Sequence, residues 1–400
     1  MRGVRRRAPS AAAGSVRSWI DVSNPAADVS AGKDIYRRLQ ERIDELPAPF
    51  PATRSGVEVR LLEALFDERE ARIALSLSAV TEPVETIARR IGAVDRAELE
   101  SVLAGLAKKG AINAGITRVG AKRVRTYGLA PLVVGMFEFQ VDKLTPAFVR
   151  DFRQYLDEGF RSAVVGGRTA QMRTVPVRAE IASGRSVAPY HDIRGYLARH
   201  PGPFSVINCD CRQAAALIGE ACTSSSTHET CLMIGHVPAH ARRIDREELL
   251  SILDRAEAEG HVLQPQNSQK PVFICCCCRD CCEILRNARK LPRPADAVPS
   301  AYTAVVDEAL CTGCHRCVAR CPMEAIGVTD RLARVDESRC IGCGLCATTC
   351  PVAAVTLSRR RRPRRTPRSS TRMYLGMYAD RRGLLGAAVV AVRTVLGLKV

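Results

Sequence analysis

All eighteen cysteines of this 400-residue chain lie after residue 208. Nine disulfides would need an oxidising compartment and, as a rule, a small secreted domain. The N-terminus, MRGVRRRAPSAAAGSVRSWIDV, has a basic start but lacks the continuous apolar stretch of a secretory signal. Six cysteines crowd into Cys275–Cys282, and adjacent cysteines rarely have the geometry to bridge each other. The expectation is therefore metal or iron–sulfur ligation in a reducing, cytoplasmic setting.

The spacing sharpens that expectation. Cys311-x2-Cys314-x2-Cys317-x3-Cys321-Pro322 recurs as Cys340-x2-Cys343-x2-Cys346-x3-Cys350-Pro351, offset by 29 residues. Val306-Asp307-Glu308 and Val335-Asp336-Glu337 keep the same offset, as do Gly313 with Gly342 and Ala325 with Ala354. Zinc ribbons pair C-x2-C knuckles across longer gaps. A tight loop can present three cysteines at x2 spacing to a single iron–sulfur cube.

Residues 302–357 resemble the bacterial two-cluster [4Fe–4S] ferredoxin. The resemblance implies that the cysteine before each proline serves the opposite cluster. One cluster would take Cys311, Cys314, Cys317 and Cys350, and the other Cys340, Cys343, Cys346 and Cys321. The first loop carries His315-Arg316 where the second has Gly344-Leu345, so unequal potentials are expected.

Ten further thiols lie between residues 209 and 282. No loop buries that many thiolates without cations, and a shared metal would crosslink the elements that carry them. Over residues 34–357 the chain resembles a group of ferredoxin-domain proteins with a winged-helix-like N-terminal region and two cysteine-rich middle segments. Cys209, Cys211, Cys222 and Cys231 match the first segment, and Cys275, Cys277, Cys278, Cys281 and Cys282 the second. Cys276 and Asp280 depart from that pattern. Three readings stay open: a further iron–sulfur cluster, structural zinc, or a dithiol centre built from Cys281 and Cys282 or from Cys209 and Cys211. His228 and Glu229 are candidate non-thiolate ligands or a proton donor, against a plain capping or solvated role. His236 and His240 are four apart, a helical metal spacing, with a plain surface helix as the expectation.

The fold class expected is α+β and multidomain. Residues 1–32 read as a disordered basic leader. Residues 33–140 read as a winged-helix-like domain, with helices from Asp34, after a Ser55 cap, over VETIARRIG and over Arg96–Lys109, then a hairpin around Gly120. Residues 141–297 read as an α/β cysteine-rich domain. There TVPVRAEI and PFSVINCDC are strands, the latter delivering Cys209 and Cys211; Asp245 and Glu248 form a capping box, and HVLQPQNSQKPVFIC is a hairpin. Residues 298–358 carry the two clusters, and residues 359–400 are a solvated basic linker and an apolar segment.

Composition narrows the function classes. Arg2, Arg5, Arg6 and Arg7, with the eight arginines from Arg359 to Arg372, supply most of the +18 charge, so the body is mildly basic. Aromatic residues are 4% of the chain, too few for large base-stacking platforms. No G-x-G-x-x-G or Walker pattern occurs, and nucleotide-driven chemistry gains no support. The main expectation is an iron–sulfur electron carrier passing single electrons to or from a redox protein partner. A redox-sensing DNA-binding regulator and an oxidoreductase acting at the middle cluster are the alternatives. DNA contact would use the Arg96–Lys109 helix with Lys122, Arg123 and Arg125, although Glu98 and Glu100 in its first turn repel phosphates. The apolar C-terminal segment, interrupted by Arg393, suits docking or a membrane-surface contact.

Overall fold

The computed structural model describes residues 28–92, 94–165, 167–177, 191–238 and 240–400. The expected leader lies outside the described residues as far as residue 27, and a helix begins at Asp28, inside its predicted span.

The first unit is built from α1 (Asp28–Asp44), α2 (Val57–Leu65), α3 (Glu68–Ala74), β1 (Glu82–Pro83), α4 (Val84–Ile91), α5 (Arg96–Lys109), β2 (Ile112–Val119) and β3 (Lys122–Leu129). Strand β3 lies between β1 and β2, antiparallel to both. Leu39, Leu61, Leu62, Leu99, Leu103 and Leu106 meet in one core because helical spacing puts them on inward faces. Asp95 caps α5 and Gly110, at φ 83°, ends it. Helix α3 was not anticipated, although its start carries a full capping box, Asp67 with Glu70. Ser55 lies one residue before the N-cap of α2, and its Oγ accepts from Val57 N–H at 3.4 Å. The N-cap is Gly56, and the Ser55 hydroxyl donates to Glu158 Oε2 at 2.6 Å. Helix α6 (Pro146–Tyr155) adds Phe148, Val149, Phe152 and Tyr155 to the same core, which therefore continues past residue 140.

The second unit contains α7 (Ile193–Arg199), β4 (Phe204–Asn208), α8 (Asp210–Leu217), β5 (Glu229–Ile234), β6 (Arg242–Ile244), α9 (Arg246–Glu259), β7 (Val262–Pro265), β8 (Phe273–Cys277) and α10 (Glu283–Arg289). Its sheet has the order β6-β4-β5-β8-β7 and is antiparallel throughout. The unit is thus α+β rather than α/β: β5 to β6 and β7 to β8 are linked by stretches too short for a parallel crossover. Helix α9 covers one face, packing Leu249, Ile252 and Leu253 on Phe204, Leu232 and Ile274. Asp245 caps α9, but the Glu248 carboxylate pairs with Arg242 instead of closing the box. The expected strand over TVPVRAEI makes only isolated bridges, from Met172 and Val175, within its described part. Strand β4 stops at Asn208; Cys209 caps α8 and Cys211 rides on that helix.

The third unit pairs β9 (Tyr302–Val306) with β12 (Val355–Arg359) and β10 (Ile326–Thr329) with β11 (Leu332–Val335), with a short α11 (Arg316–Arg320) between β9 and β10. The basic linker is docked rather than fully solvated. Arg360 donates to Tyr302 O and Cys340 O, and Arg364 to Gly167 O and Asp296 O. The chain ends in α12 (Ser370–Val395), kinked at Gly383.

Candidate metal centres

The 29-residue repeat folds into a crosswise interlock. Asp307 N–H donates to Ala354 O, and Asp336 N–H donates to Ala325 O, both at 2.8 Å. Ala333 N–H donates to Cys311 Sγ and Ala304 N–H to Cys340 Sγ, both at 3.4 Å. Each half thus places a strand amide on the first cysteine of the other. Gly313 and Gly342 lie at φ +69° and +60°. A Cβ on Gly313 would meet Arg331 O at 2.5 Å, and one on Gly342 would come closer still to Tyr302 O. Only glycine fits where backbone meets backbone at this conformation.

Two cavities result. Cys311, Cys314, Cys317 and Cys350 line the first. Cys321, Cys340, Cys343 and Cys346 line the second. The division is the one that the ferredoxin resemblance implies for the ligands. Each cavity offers four thiols, N–H···S bonds and glycine-tight walls, a donor set suited to an iron–sulfur cube. Their surroundings differ. In the first, Cys314 is exposed and Cys311 and Cys350 half-buried, while all four thiols of the second are buried. The Arg316 backbone N–H holds the Cys314 thiol below its ordinary range. Burial pushes Cys343 and Cys346 up.

The ten thiols of the second unit separate into three sets. Cys231 and Cys275 face each other across β5 and β8, with sulfurs 3.7 Å apart. Cys277 joins them from β8, reaching Cys275 and Cys282; Cys211 on α8 reaches Cys209 and Cys282. These six form one continuous thiol group. Cys222, Cys278 and Cys281 form another with Asp280, all four donor atoms within 4.8 Å of one another. Cys276 joins neither. Strand alternation turns it to the opposite face, into the core beneath α9.

Within the six-thiol group Cys282 and Cys275 are held toward the thiolate, while Cys211, Cys231 and Cys277, which donate to them, are pushed well above their ordinary range. Hydrogen bonds from Cys211 and Cys277, with the Ile284 and Leu285 amides at the start of α10, hold Cys282 well below its ordinary range. Bonds from Cys231 and Cys277 bring Cys275 to about 5. Burial, reinforced by Cys275, lifts the adjacent Asp210 carboxyl to about 7. Gln264 lies opposite Cys275 on β7, fully buried, and neither of its amide atoms has a partner. An orphaned amide beside six thiols fits a bound metal or cluster whose sulfurs accept hydrogen bonds.

Sequence reasoning missed three residues here: Gln264, Asp280 and Arg212. The Arg212 guanidinium is buried and donates to Thr227 O, to Thr230 Oγ1 at 3.1 Å and toward Cys278. An arginine next to a C-x-C pair, and a carboxylate inside a cysteine run, were the available signals. The helix expected at His236 and His240 is not formed. His236 and His240 lie in the connection between β5 and β6, which contains no helix among its described residues. Glu229 pairs with Arg242, and His228 serves through its carbonyl, which accepts from Cys209 N–H at 2.8 Å. In the first unit Lys122, Arg123 and Arg125 are exposed on the β2–β3 hairpin, while Glu98 on α5 pairs with Arg69.

Comparison with known proteins bears on one segment. Residues 296–357 match the 4Fe–4S dicluster domain family. No curated protein and no solved structure matches the chain. The match and the cysteine-rich cavities establish a ferredoxin-type iron–sulfur domain near the C-terminus.

Proposed function

We propose that the chain is an iron–sulfur electron carrier. Two [4Fe–4S] clusters, one held by Cys311, Cys314, Cys317 and Cys350 and one by Cys340, Cys343, Cys346 and Cys321, connect a redox protein partner to the middle-unit thiols. The observation that carries this reading is continuity. Cys321, Cys340, Cys343 and Cys346 share one buried apolar cluster with Cys277 and Cys282 of the six-thiol group. The exposed Cys314 edge is the partner's entry point, the buried cavity the relay, and Cys209, Cys211, Cys231, Cys275, Cys277 and Cys282 hold the third redox centre. Bound clusters supply the one-electron chemistry, near or above the roughly −400 mV of plant-type ferredoxins. The protein supplies spacing, low dielectric and N–H···S bonds.

The test is a relay experiment on anaerobic protein. A Cys343→Ala variant should still accept an electron at the first cluster from a protein donor. It should no longer pass that electron to the middle centre, followed by electron paramagnetic resonance. Unimpaired reduction of the middle centre in that variant would sink the relay.

A second reading rests on its own observation. A largely apolar cavity of about 150 Å³ between the first and second units reaches Cys211, Glu138 and Gln264. It would admit a small molecule to the six-thiol centre, making the protein an oxidoreductase. That reading requires the middle centre's resonance spectrum to change with a small-molecule ligand.

A further inference from the structure

The set formed by Cys222, Cys278, Asp280 and Cys281 differs in kind from the iron–sulfur sites. Cys222 Sγ lies 3.8 Å from Cys278 Sγ and 3.5 Å from Asp280 Oδ1. A tetrahedral centre with zinc–sulfur bonds near 2.3 Å and a zinc–oxygen bond near 2.0 Å separates its donors by about 3.8 Å for S···S and about 3.5 Å for S···O. Cys231 and Cys275 of the six-thiol group stand equally close, at 3.7 Å, so the closed set of four donors with a carboxylate among them, rather than sulfur spacing alone, marks this site as mononuclear. We infer that Cys222, Cys278, Cys281 and Asp280 form a mononuclear zinc site, separate from the six-thiol centre and closed to substrate.

The carboxylate is built for this role. Its Oδ2 accepts from Thr223 N–H at 2.6 Å, Thr223 Oγ1 at 2.9 Å and Ser224 N–H at 3.1 Å, which leaves Oδ1 turned to the sulfurs. Such outer bonds orient a ligating carboxylate. Three thiolates and a carboxylate outweigh one divalent ion, and the buried Arg212 guanidinium beside Cys278 offsets part of the excess. Zinc is preferred over ferrous iron at a site of this composition. The ion would tie the loop after α8, which carries Cys222, to the loop after β8, where Cys277 and Cys282 flank its ligands in the chain.

The experiment uses full-length protein purified without air and washed with a chelator. Metal analysis should find one zinc per chain alongside the iron. X-ray absorption at the zinc edge should find three sulfurs at about 2.3 Å and one oxygen at about 2.0 Å. Asp280→Cys, which keeps four donors, should retain zinc and convert the shell to four sulfurs; Cys281→Ser should lose at least nine-tenths of the zinc. Protein without zinc, a four-sulfur shell in the natural protein, or a shell unchanged by Asp280→Cys would each overturn the inference. Iron counted in the same samples reports on the electron-carrier reading independently.

Discussion

Cys277 and Cys278 are neighbours in the chain and belong to different thiol groups: Cys277 reaches Cys275 and Cys282, and Cys278 meets Cys222. Cys281 and Cys282 divide the same way, Cys281 beside Cys278 and Cys282 beside Cys211. Two turns of backbone thereby build two sites back to back, with Arg212 reaching from α8 toward Cys278. The serine variants of the first pair should separate cleanly. Cys277→Ser should strip iron from the middle unit and keep zinc, while Cys278→Ser should do the reverse. Metal analysis of both variants reads this directly, and loss of both metals in both would show one merged site.

Gly313 and Gly342 make a second, local prediction. An alanine at either position incurs the left-handed penalty of about 1–2 kcal/mol and a collision with a carbonyl of the other half. Gly342→Ala should therefore remove about four iron atoms per chain, one cube's complement. Circular dichroism should remain that of a folded protein. A full iron count in that variant would mean that the loop relaxes without cost.

The two clusters should differ in potential. Reduction adds negative charge, which water stabilises better than an apolar wall does, and the first cavity is the wetter one. His315 and Arg316 also line it. A redox titration followed by electron paramagnetic resonance should give two one-electron steps, the higher lost in a Cys314→Ala variant. A single two-electron wave would contradict this.

The ferredoxin-type half was legible because its information is local. Loop spacing, a repeat and a proline are readable without knowing any strand register. The middle unit was not legible in that way. Its thiols are sorted by the register that sets Cys231 opposite Cys275 and by the pleat that turns Cys276 away from Cys275 and Cys277. Alternation within CCCC was a signal that could have separated Cys276 from its neighbours. Asp280 looked like a defect in a cysteine motif because its role depends on a loop about 57 residues earlier in the chain. The histidine pair misled because spacing of four carries meaning only on a helix.

His261 gives the pH prediction. It is fully buried, and its Nε2 lies 3.1 Å from Arg212 Nη2, a donor that requires a neutral, accepting ring. Burial, then Arg212, lowers its pKa to about 4. The unfolded chain, titrating near 6.5, therefore binds more protons between pH 6.5 and 4. Stability is full above that window and falls through it, by about 3 kcal/mol for this group. His191, lowered by burial in the same way, adds a term of the same sign. Anaerobic urea unfolding of His261→Gln should show a shallower acid loss than the natural protein. An identical slope would show that the ring is charged in the folded state.

The last prediction concerns α12. Its first half is anchored: Met373 and Met377 are buried against Ala48, and Arg381 pairs with Asp44 at 2.7 Å. Beyond the kink at Gly383 the helix presents Leu384, Leu385 and Val395 at 83%, 86% and 87% exposure. Among the described residues no helix is long and apolar enough to cross a membrane. An exposed apolar helix end, in a chain that also exposes Arg361, Arg362, Arg365 and Arg368 ahead of that helix, suits the surface of an anionic bilayer, where each basic residue contributes about 1 kcal/mol. Flotation with phosphatidylserine-containing vesicles should recover the natural protein, and added salt should weaken the binding. A Leu384→Glu, Leu385→Glu double variant should lose at least tenfold in partitioning while keeping its full iron content, because neither leucine touches the core. Equal partitioning of the double variant would assign any binding to the arginines alone.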